Sequence, residues 1–310
     1  MDPSSRRPRQ DRATHLFIVG LPRTGSTLTR GIVNASPLIW VAGESRYLSE
    51  PTRLGLVRRA GWAERFEGIG DIRTESGLAR VVAHIFGMRG KTFWSRLATR
   101  TDTSTFAALL RDTPRERRDL LDVAMGIFAA ERPIRGEKTP HHVLHVPTLF
   151  EWFPTARVIH TIRDPRAVYA SMRHKERDEK LTGLGRGARR LGSMFNIYST
   201  LNLARKWRNM VDLHRAYSRR YPDRYTMVRF EDLVARPEPT AERLAAFIGV
   251  PYTPAMLGQV VHNSSFLERG APTGIDPSVV DRWRDHIPTR DAERITRICH
   301  PGLEELGYRT

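Results

Sequence analysis

Hydrophobic positions in this chain come in short continuous bursts rather than long stripes. Leu16–Val19 (LFIV), Val158–Ile162 (VIHTI) and the YTMVRF stretch from Tyr225 are the clearest. Uninterrupted apolar runs of this length predict strands covered on both faces, as in a parallel sheet. Between them the pattern turns helical. A helix is expected to open at Ser26-Thr27, another at Pro165, which is pre-set for a first helical position, and a long one from about Ser193 to Arg220. A further helix follows Pro237 and stops at Gly249. From about residue 50 to residue 135 the pattern is helical with charged faces and carries no recognisable chemistry. Strand–helix alternation predicts an α/β fold, a parallel sheet flanked by helices with a helical insertion. The polar, basic residues 1–14 read as a disordered tail, which leaves one domain over 15–310. Met172–Gly192, rich in Lys, Arg, Glu and Gly, reads as an exposed mobile loop placed to cover a cleft.

The most informative junction is HLFIVGLPRTGST, from His15 to Thr27. A strand, a glycine-bearing loop and a helix start in that order make an anion cradle: backbone N–H groups converge, and the helix dipole adds partial positive charge. Gly20 and Gly25 have the spacing of a nucleotide-binding P-loop. Ser26, however, stands where such a loop carries the lysine that reaches a triphosphate, and the loop's cation is Arg23. The cradle suits a phosphate-like group better than ATP, and P-loop-NTPase-like topology is the expected frame. An ordinary strand-to-helix turn is the plain alternative. The second junction is RVIHTIRDPRAVYAS. Ligands of open α/β sheets sit beyond the carboxyl ends of the strands, so Arg163 should face the crevice of the first loop. Ser171, on the next helix, offers a hydroxyl donor; charge plus hydroxyl would hold a second phosphate. Arg163 paired with Asp164, or capping a neighbouring helix, is the competing reading.

Composition narrows the setting. A formal charge of +17 favours anionic partners without choosing among them. No zinc-finger spacing or RNA-binding aromatic pattern is present, so nucleic acid is not the expected partner. One cysteine, Cys299, excludes an intramolecular disulfide and every multi-cysteine metal motif, and fits a reducing, cytoplasmic compartment. The longest apolar run near the start, LFIVGL, is far short of a membrane span.

Taken together, PRTGST after a strand, IRDPRAVYAS in mid-chain and VRFEDLVARPEPTAERLAAFIGVP resemble the sulfotransferase family, whose sulfuryl donor is 3′-phosphoadenosine 5′-phosphosulfate (PAPS). The likeness runs from Leu16 to about Tyr308 and is closest to the tyrosylprotein branch and its bacterial relatives. It implies that the amides of Arg23, Thr24, Gly25, Ser26 and Thr27 hold the 5′-phosphosulfate, and that Arg163 and Ser171 hold the 3′-phosphate. IWVAGESRYLSE places Gly43, Glu44 and Arg46 on that branch's GE-x-R element, where the glutamate is the general base. A carboxylate within reach of a hydroxyl can take its proton during attack. Glu44 is also readable as a structural acid paired with Arg46. GEKTPHHVLHVP resembles the family's lysine segment, so that Lys138 would stabilise the breaking S–O bond. The histidine of the cytosolic alcohol and phenol branch is displaced here: Pro140 takes its place and His141 follows, a rival base. His142 and His145 read as helix-capping or surface residues. In NSSFLERG, Phe266 would either stack on the adenine or sit in the core, and Arg282 takes a donor-side position. Residues 50–135 would then form the acceptor side.

The expected chemistry is in-line transfer of a sulfuryl group to a hydroxyl. Arg23 and Lys138 neutralise charge, Glu44 accepts the proton, and no metal is required. The acceptor (small molecule, glycan, lipid or tyrosine) is not legible. Two other classes stay open: an ATP-dependent P-loop-like kinase, and a non-catalytic basic protein for nucleic acid or acidic glycan.

Overall fold

The computed structural model describes residues 14–51, 58–181, 192–258 and 279–309. Its strands are β1 (His15–Gly20), β2 (Ile39–Ala42), β3 (Glu50–Pro51), β4 (Arg58–Arg59), β5 (Ile134–Lys138), β6 (Arg157–Ile162) and β7 (Tyr225–Arg229). Five of them form a sheet in the order β2-β5-β1-β6-β7, and every neighbouring pair is parallel. β3 and β4 make a separate antiparallel pair. β1 lies at the centre with all six residues buried. Its alternate side chains feed two cores: Phe17 and Val19 enter one, Leu16 and Ile18 the other. This is why the strand reads as a continuous apolar run rather than as an alternation.

The helices are α1 (Ser26–Asn34), α2 (Trp62–Ile69), α3 (Glu75–Gly87), α4 (Thr103–Arg111), α5 (Arg117–Ala129), α6 (Val146–Trp152), α7 (Pro165–Leu181), α8 (Gly192–Arg220), α9 (Phe230–Ala235), α10 (Pro237–Ile248), α11 (Trp283–His286) and α12 (Thr289–Glu305). α1 and α10 close one face of the sheet, through Ile32, Val33, Leu244 and Ile248. The other face takes the larger core, built with α3, α5, α6, α8 and α12. α5 packs directly on β2 and β5. Local chemistry sets the boundaries. Thr74 accepts a hydrogen bond from Gly77 N at 3.0 Å, and Asp102 accepts one from Thr105 N at 2.8 Å, starting α3 and α4. Glu116 and Asp119 form a capping box for α5. Pro237 opens α10, and Gly249 ends it in the left-handed region at φ 80°.

Two expectations change. Met172–Gly192 is not a loop throughout: α7 continues to Leu181 and α8 begins at Gly192. The composition was misleading because Lys, Arg and Glu, though highly charged, are good helix formers. The remainder of that stretch, residues 182–191, lies outside the described residues, as do residues 1–13 and the NSSFLERG segment with Phe266. The region from 50 to 135 is helical as read, but it also contributes the β3–β4 pair.

One contact ties the first loop to the end of β7. Gly25 has φ +87°, and a Cβ there would lie 2.5 Å from the ring of Phe230, the first residue of α9. Gly25→Ala is therefore expected to cost about 1–2 kcal/mol from the left-handed backbone alone, with the Phe230 clash added. Thermal unfolding should show the loss as a drop of several degrees in Tm; an unchanged Tm would contradict this packing.

Candidate active site

Parallel β2, β5, β1 and β6 end side by side, and the residues just beyond their carboxyl ends make the site. After β1 the loop turns at Gly20, where a Cβ would lie 2.3 Å from the Thr161 carbonyl oxygen. Thr24 is buried; its hydroxyl donates to Leu21 O at 2.7 Å and shares a 2.7 Å hydrogen bond with Thr161 Oγ1. Thr24 thus braces the loop, leaving only its backbone amide for a ligand. Ser26 and Thr27 open α1, whose N-cap, Gly25, supplies no side-chain cap and whose first turn holds no acid. The helix start is left with free N–H donors and an unopposed dipole, which suits an anion.

Arg23 itself has φ 75°, one of four non-glycine residues with positive φ among the described residues. Its Nε donates to Ser171 Oγ at 2.8 Å, so β1's loop meets α7. Arg163, directly after β6, joins them. Its guanidinium lies 4.1 Å from the Phe230 ring centroid, and Nη2 donates to Val279 O at 3.3 Å. Its Nε is buried without a hydrogen-bond partner. Burial pushes its pKa down, with Glu231 opposing. The pairing with Asp164 considered from sequence does not form: Arg166 takes both Asp164 oxygens, Nη2 at 2.7 Å and Nε at 3.0 Å. The α8 residue Trp207 supports the backbone here, donating from Nε1 to Arg163 O at 2.9 Å. Phe230 therefore touches both halves of the cluster, the Gly25 turn and the Arg163 guanidinium.

Across the sheet edge, Lys138 at the end of β5 donates to Glu44 Oε1 at 2.8 Å, and Arg46 Nη2 donates to Oε2 at 3.3 Å. Burial raises the Glu44 pKa, but Lys138 and then Arg46 outweigh it and hold the carboxyl below its ordinary range. These two cations favour the ionised carboxylate. The Arg46 pairing read from sequence exists, although Lys138 is the closer partner. His141 is half-buried, and burial, with Lys206 adding to it, pushes its pKa down to about 4. The capping or surface role expected for His142 is not what the structure shows. His142 is fully buried, 2.7 Å from Glu137 through Nδ1 and accepting from Leu48 N at 3.1 Å through Nε2. His145 is half-buried and donates to Ser49 O at 2.9 Å.

A cleft of about 1060 Å³ opens beside Glu44, with Trp40, Trp62 and Phe128 in its walls. Among the described residues Glu44 is its one lining acid, against six lining cations. Arg30, Arg59, Lys91, Arg96 and Arg100 make no side-chain hydrogen bond or ion pair to the described residues. Arg30, one turn into α1, comes close enough to Gly43 that a Cβ there would lie 3.4 Å from its Nη1. Burial and Arg96 push the Arg30 pKa down. Arg282 caps the four-residue α11, three positions after Val279, and is half-buried. Among the described residues no three metal-ligating side chains converge. Sequence reasoning missed Phe230, Arg30 and Glu137. Phe230 sat in the quoted VRFEDL motif, and Glu137 beside Lys138, where adjacency to a site residue was the available signal.

An uncapped helix start and a carboxylate–lysine pair thus lie along one edge of the parallel sheet. The model of the sulfotransferase family matches residues 15–254, and the chain belongs to that family, enzymes that transfer a sulfuryl group from PAPS to an acceptor. It is 26% identical over 311 residues to protein-tyrosine sulfotransferase 1 of Danio rerio, covering 94% of this chain and 72% of that one. It is 30% identical over 170 residues to carbohydrate sulfotransferase 5 of Mus musculus, covering 50% of this chain and 42% of the other. In fold it is similar to the sulfotransferase domain from the Synechococcus PCC 7002 olefin synthase, with a TM-score of 0.58, 21% identity and 98% of both chains covered. It is also similar to the sulfotransferase domain from the curacin biosynthetic pathway, with a TM-score of 0.55, 21% identity and coverage of 95% and 97%.

Burial brings His141 down to about 4, into the acid range of Glu44, so the two candidate bases are separated by substitution at His141. With Glu44 held below its ordinary range, turnover should fall only in the acid carboxylate region and stay level from pH 6 to 8. His141→Gln should leave that profile intact. An acid limb that disappears, with loss of turnover, in His141→Gln would contradict Glu44 as the base.

Proposed function

We propose that the Arg23–Ser171–Arg163 cluster and the start of α1 together bind PAPS, and that Glu44 and Lys138 serve the transfer. The observation that carries this reading is the buried Arg163 Nε without a partner, beside a helix start without a side-chain cap. A desolvated guanidinium lacking a carboxylate is costly unless an anion completes it, and a 3′-phosphate is such an anion. The loop amides and Arg23 suit the 5′-phosphosulfate. PAPS supplies the sulfuryl group. The acceptor oxygen forms a bond to sulfur as the bond from sulfur to the 5′-phosphate oxygen breaks, leaving 3′-phosphoadenosine 5′-phosphate (PAP). Glu44 takes the hydroxyl proton as its nucleophilicity is needed, and Lys138 and Arg23 offset charge on the departing phosphate. The fixed cations supply the neutralisation that a nucleotide kinase draws from magnesium.

The unmatched cations of the Glu44 cleft favour an acceptor that carries negative charge beside its hydroxyl, with Trp40 and Trp62 offering ring faces to its body. No helix among the described residues is long and apolar enough to cross a membrane. A cytoplasmic setting is our reading of the single, buried Cys299.

Calorimetry with PAP, and with ATP and magnesium in parallel, tests the donor site. PAP should bind in preference, and Arg163→Ala should weaken it roughly 10–150-fold, the loss of about 1.5–3 kcal/mol from charged hydrogen bonds. In a screen of acidic hydroxyl compounds with PAPS, Glu44→Gln should lower kcat by about 10²–10⁴-fold. ATP bound in preference, or full turnover by Glu44→Gln, would overturn the reading.

A further inference from the structure

Beneath the Glu44–Lys138 pair lies a polar cluster that the chemistry does not itself use. Glu137 is the β5 residue before Lys138, so its side chain leaves the opposite face of the strand. Its carboxylate is fully buried and receives three donors. His142 Nδ1 lies 2.7 Å from Oε1; the Thr139 hydroxyl and Ser45 N, the latter at 3.3 Å, both donate to Oε2. Thr139 Oγ1 in turn accepts from Ser45 N at 3.1 Å. His142 Nε2 accepts from Leu48 N at 3.1 Å. An amide N–H can only donate, so Nε2 is unprotonated and the ring's single proton sits on Nδ1, facing Glu137.

These bonds share one target. Gly43–Ser49, which follows β2 and holds Glu44 and Arg46, belongs to no helix or strand, and Arg46 is held at φ 49°. A segment without secondary structure must find other partners for its amides. Those of Ser45 and Leu48 end on Glu137, Thr139 and His142, while Trp94 Nε1 donates to Ser45 O at 2.9 Å. The same short run of chain, Glu137 to His142, therefore supplies both Lys138 and the clamp that fixes its partner. Pro140 opens the 3-10 turn that folds His142 back under the strand.

We propose that Glu137, Thr139 and His142 are positioning residues: they hold the Glu44 segment so that its carboxylate meets Lys138. His142, unlike His141, acts on the reaction only through Glu44. The inference rests on the reading of Glu44 as the base, and it predicts that loosening the clamp separates the pair while leaving the donor site alone.

The test reads Glu44 directly, without an acceptor. In protein labelled with ¹³C at the glutamate carboxyl carbon, the Glu44 signal is assigned by its absence in Glu44→Gln and titrated against pH. The groups that face Glu44 and set its midpoint are Lys138, Arg46, Arg30, His141 and Glu50. In His142→Gln, whose amide can still accept from Leu48 but puts no donor at the Nδ1 position, Glu137 keeps only Thr139 and Ser45 N, and the midpoint should rise by roughly one pH unit as Lys138 draws away. Affinity for PAP should stay within about twofold, because the donor cluster hangs from other strands. Thr139→Ala should give a smaller rise, and Thr139→Ser, which keeps the hydroxyl, should restore the original midpoint. These two variants decide the matter if His142→Gln does not fold. A Glu44 midpoint unchanged in folded, PAP-binding variants would overturn the clamp. So would an equal loss of PAP affinity, the mark of general loosening. Full turnover by Glu44→Gln would instead remove the base assignment and leave the titration result standing.

Discussion

Parallel strands deliver their carboxyl ends to one edge of a sheet, and here four adjacent strands do so side by side. Four of the groups argued to act are within a few residues of one of those ends: Arg23 after β1, Glu44 after β2, Lys138 at the tip of β5 and Arg163 after β6. The strands are buried on both faces, so their positions are fixed by two hydrophobic cores at once. The charged edge inherits that rigidity. Phe230, at the end of the fifth strand, adds a cross-brace by touching both the Gly25 turn and Arg163. A site that must pre-organise several cations can be assembled in this way without lengthy loops.

The electrostatics follow from where carboxylates are withheld. Asp164, the acid next to Arg163, is consumed by Arg166, leaving Arg163 with a ring face, two backbone carbonyls and an unpartnered nitrogen. Among the described residues of the neighbouring cleft five cations have no hydrogen bond or ion pair, and the one acid, Glu44, is already held by Lys138 and Arg46. Desolvated like charges destabilise the free protein and are relieved when an anion arrives. The +17 charge of the chain is thus less informative as a total than in its placement.

The frame was largely legible in the residues. Short apolar bursts marked β1, β6 and β7, Pro165 and Pro237 marked helix starts, and the Gly20–Gly25 spacing marked the cradle. The position of Arg163 beside the first loop was readable because strand ends face the crevice. What could not be read depends on contacts distant in sequence. The withheld partner of Arg163, the proximity of Arg30 to Gly43 and the role of Phe230 appear only once the sheet is assembled. His142 was misjudged because a histidine beside a proline-led turn looks exposed. Its burial rests on Glu137, a carboxylate on the inward face of a strand where sequence patterning expects an apolar residue. The extension of α7 to Leu181 was missed for a different reason, charge density having outweighed helix propensity. Glu44 was proposed as the base through family resemblance alone, since nothing in its local pattern separates a base from a surface acid.

The most direct measurement of the central claim is a crystal structure of the protein with PAP. The account predicts the 5′-phosphate against the amides that open α1, and the 3′-phosphate within hydrogen-bond reach of Ser171 and the Arg163 guanidinium. Nucleotide bound elsewhere, or in this cradle with its 3′-phosphate turned away from Arg163, would contradict it.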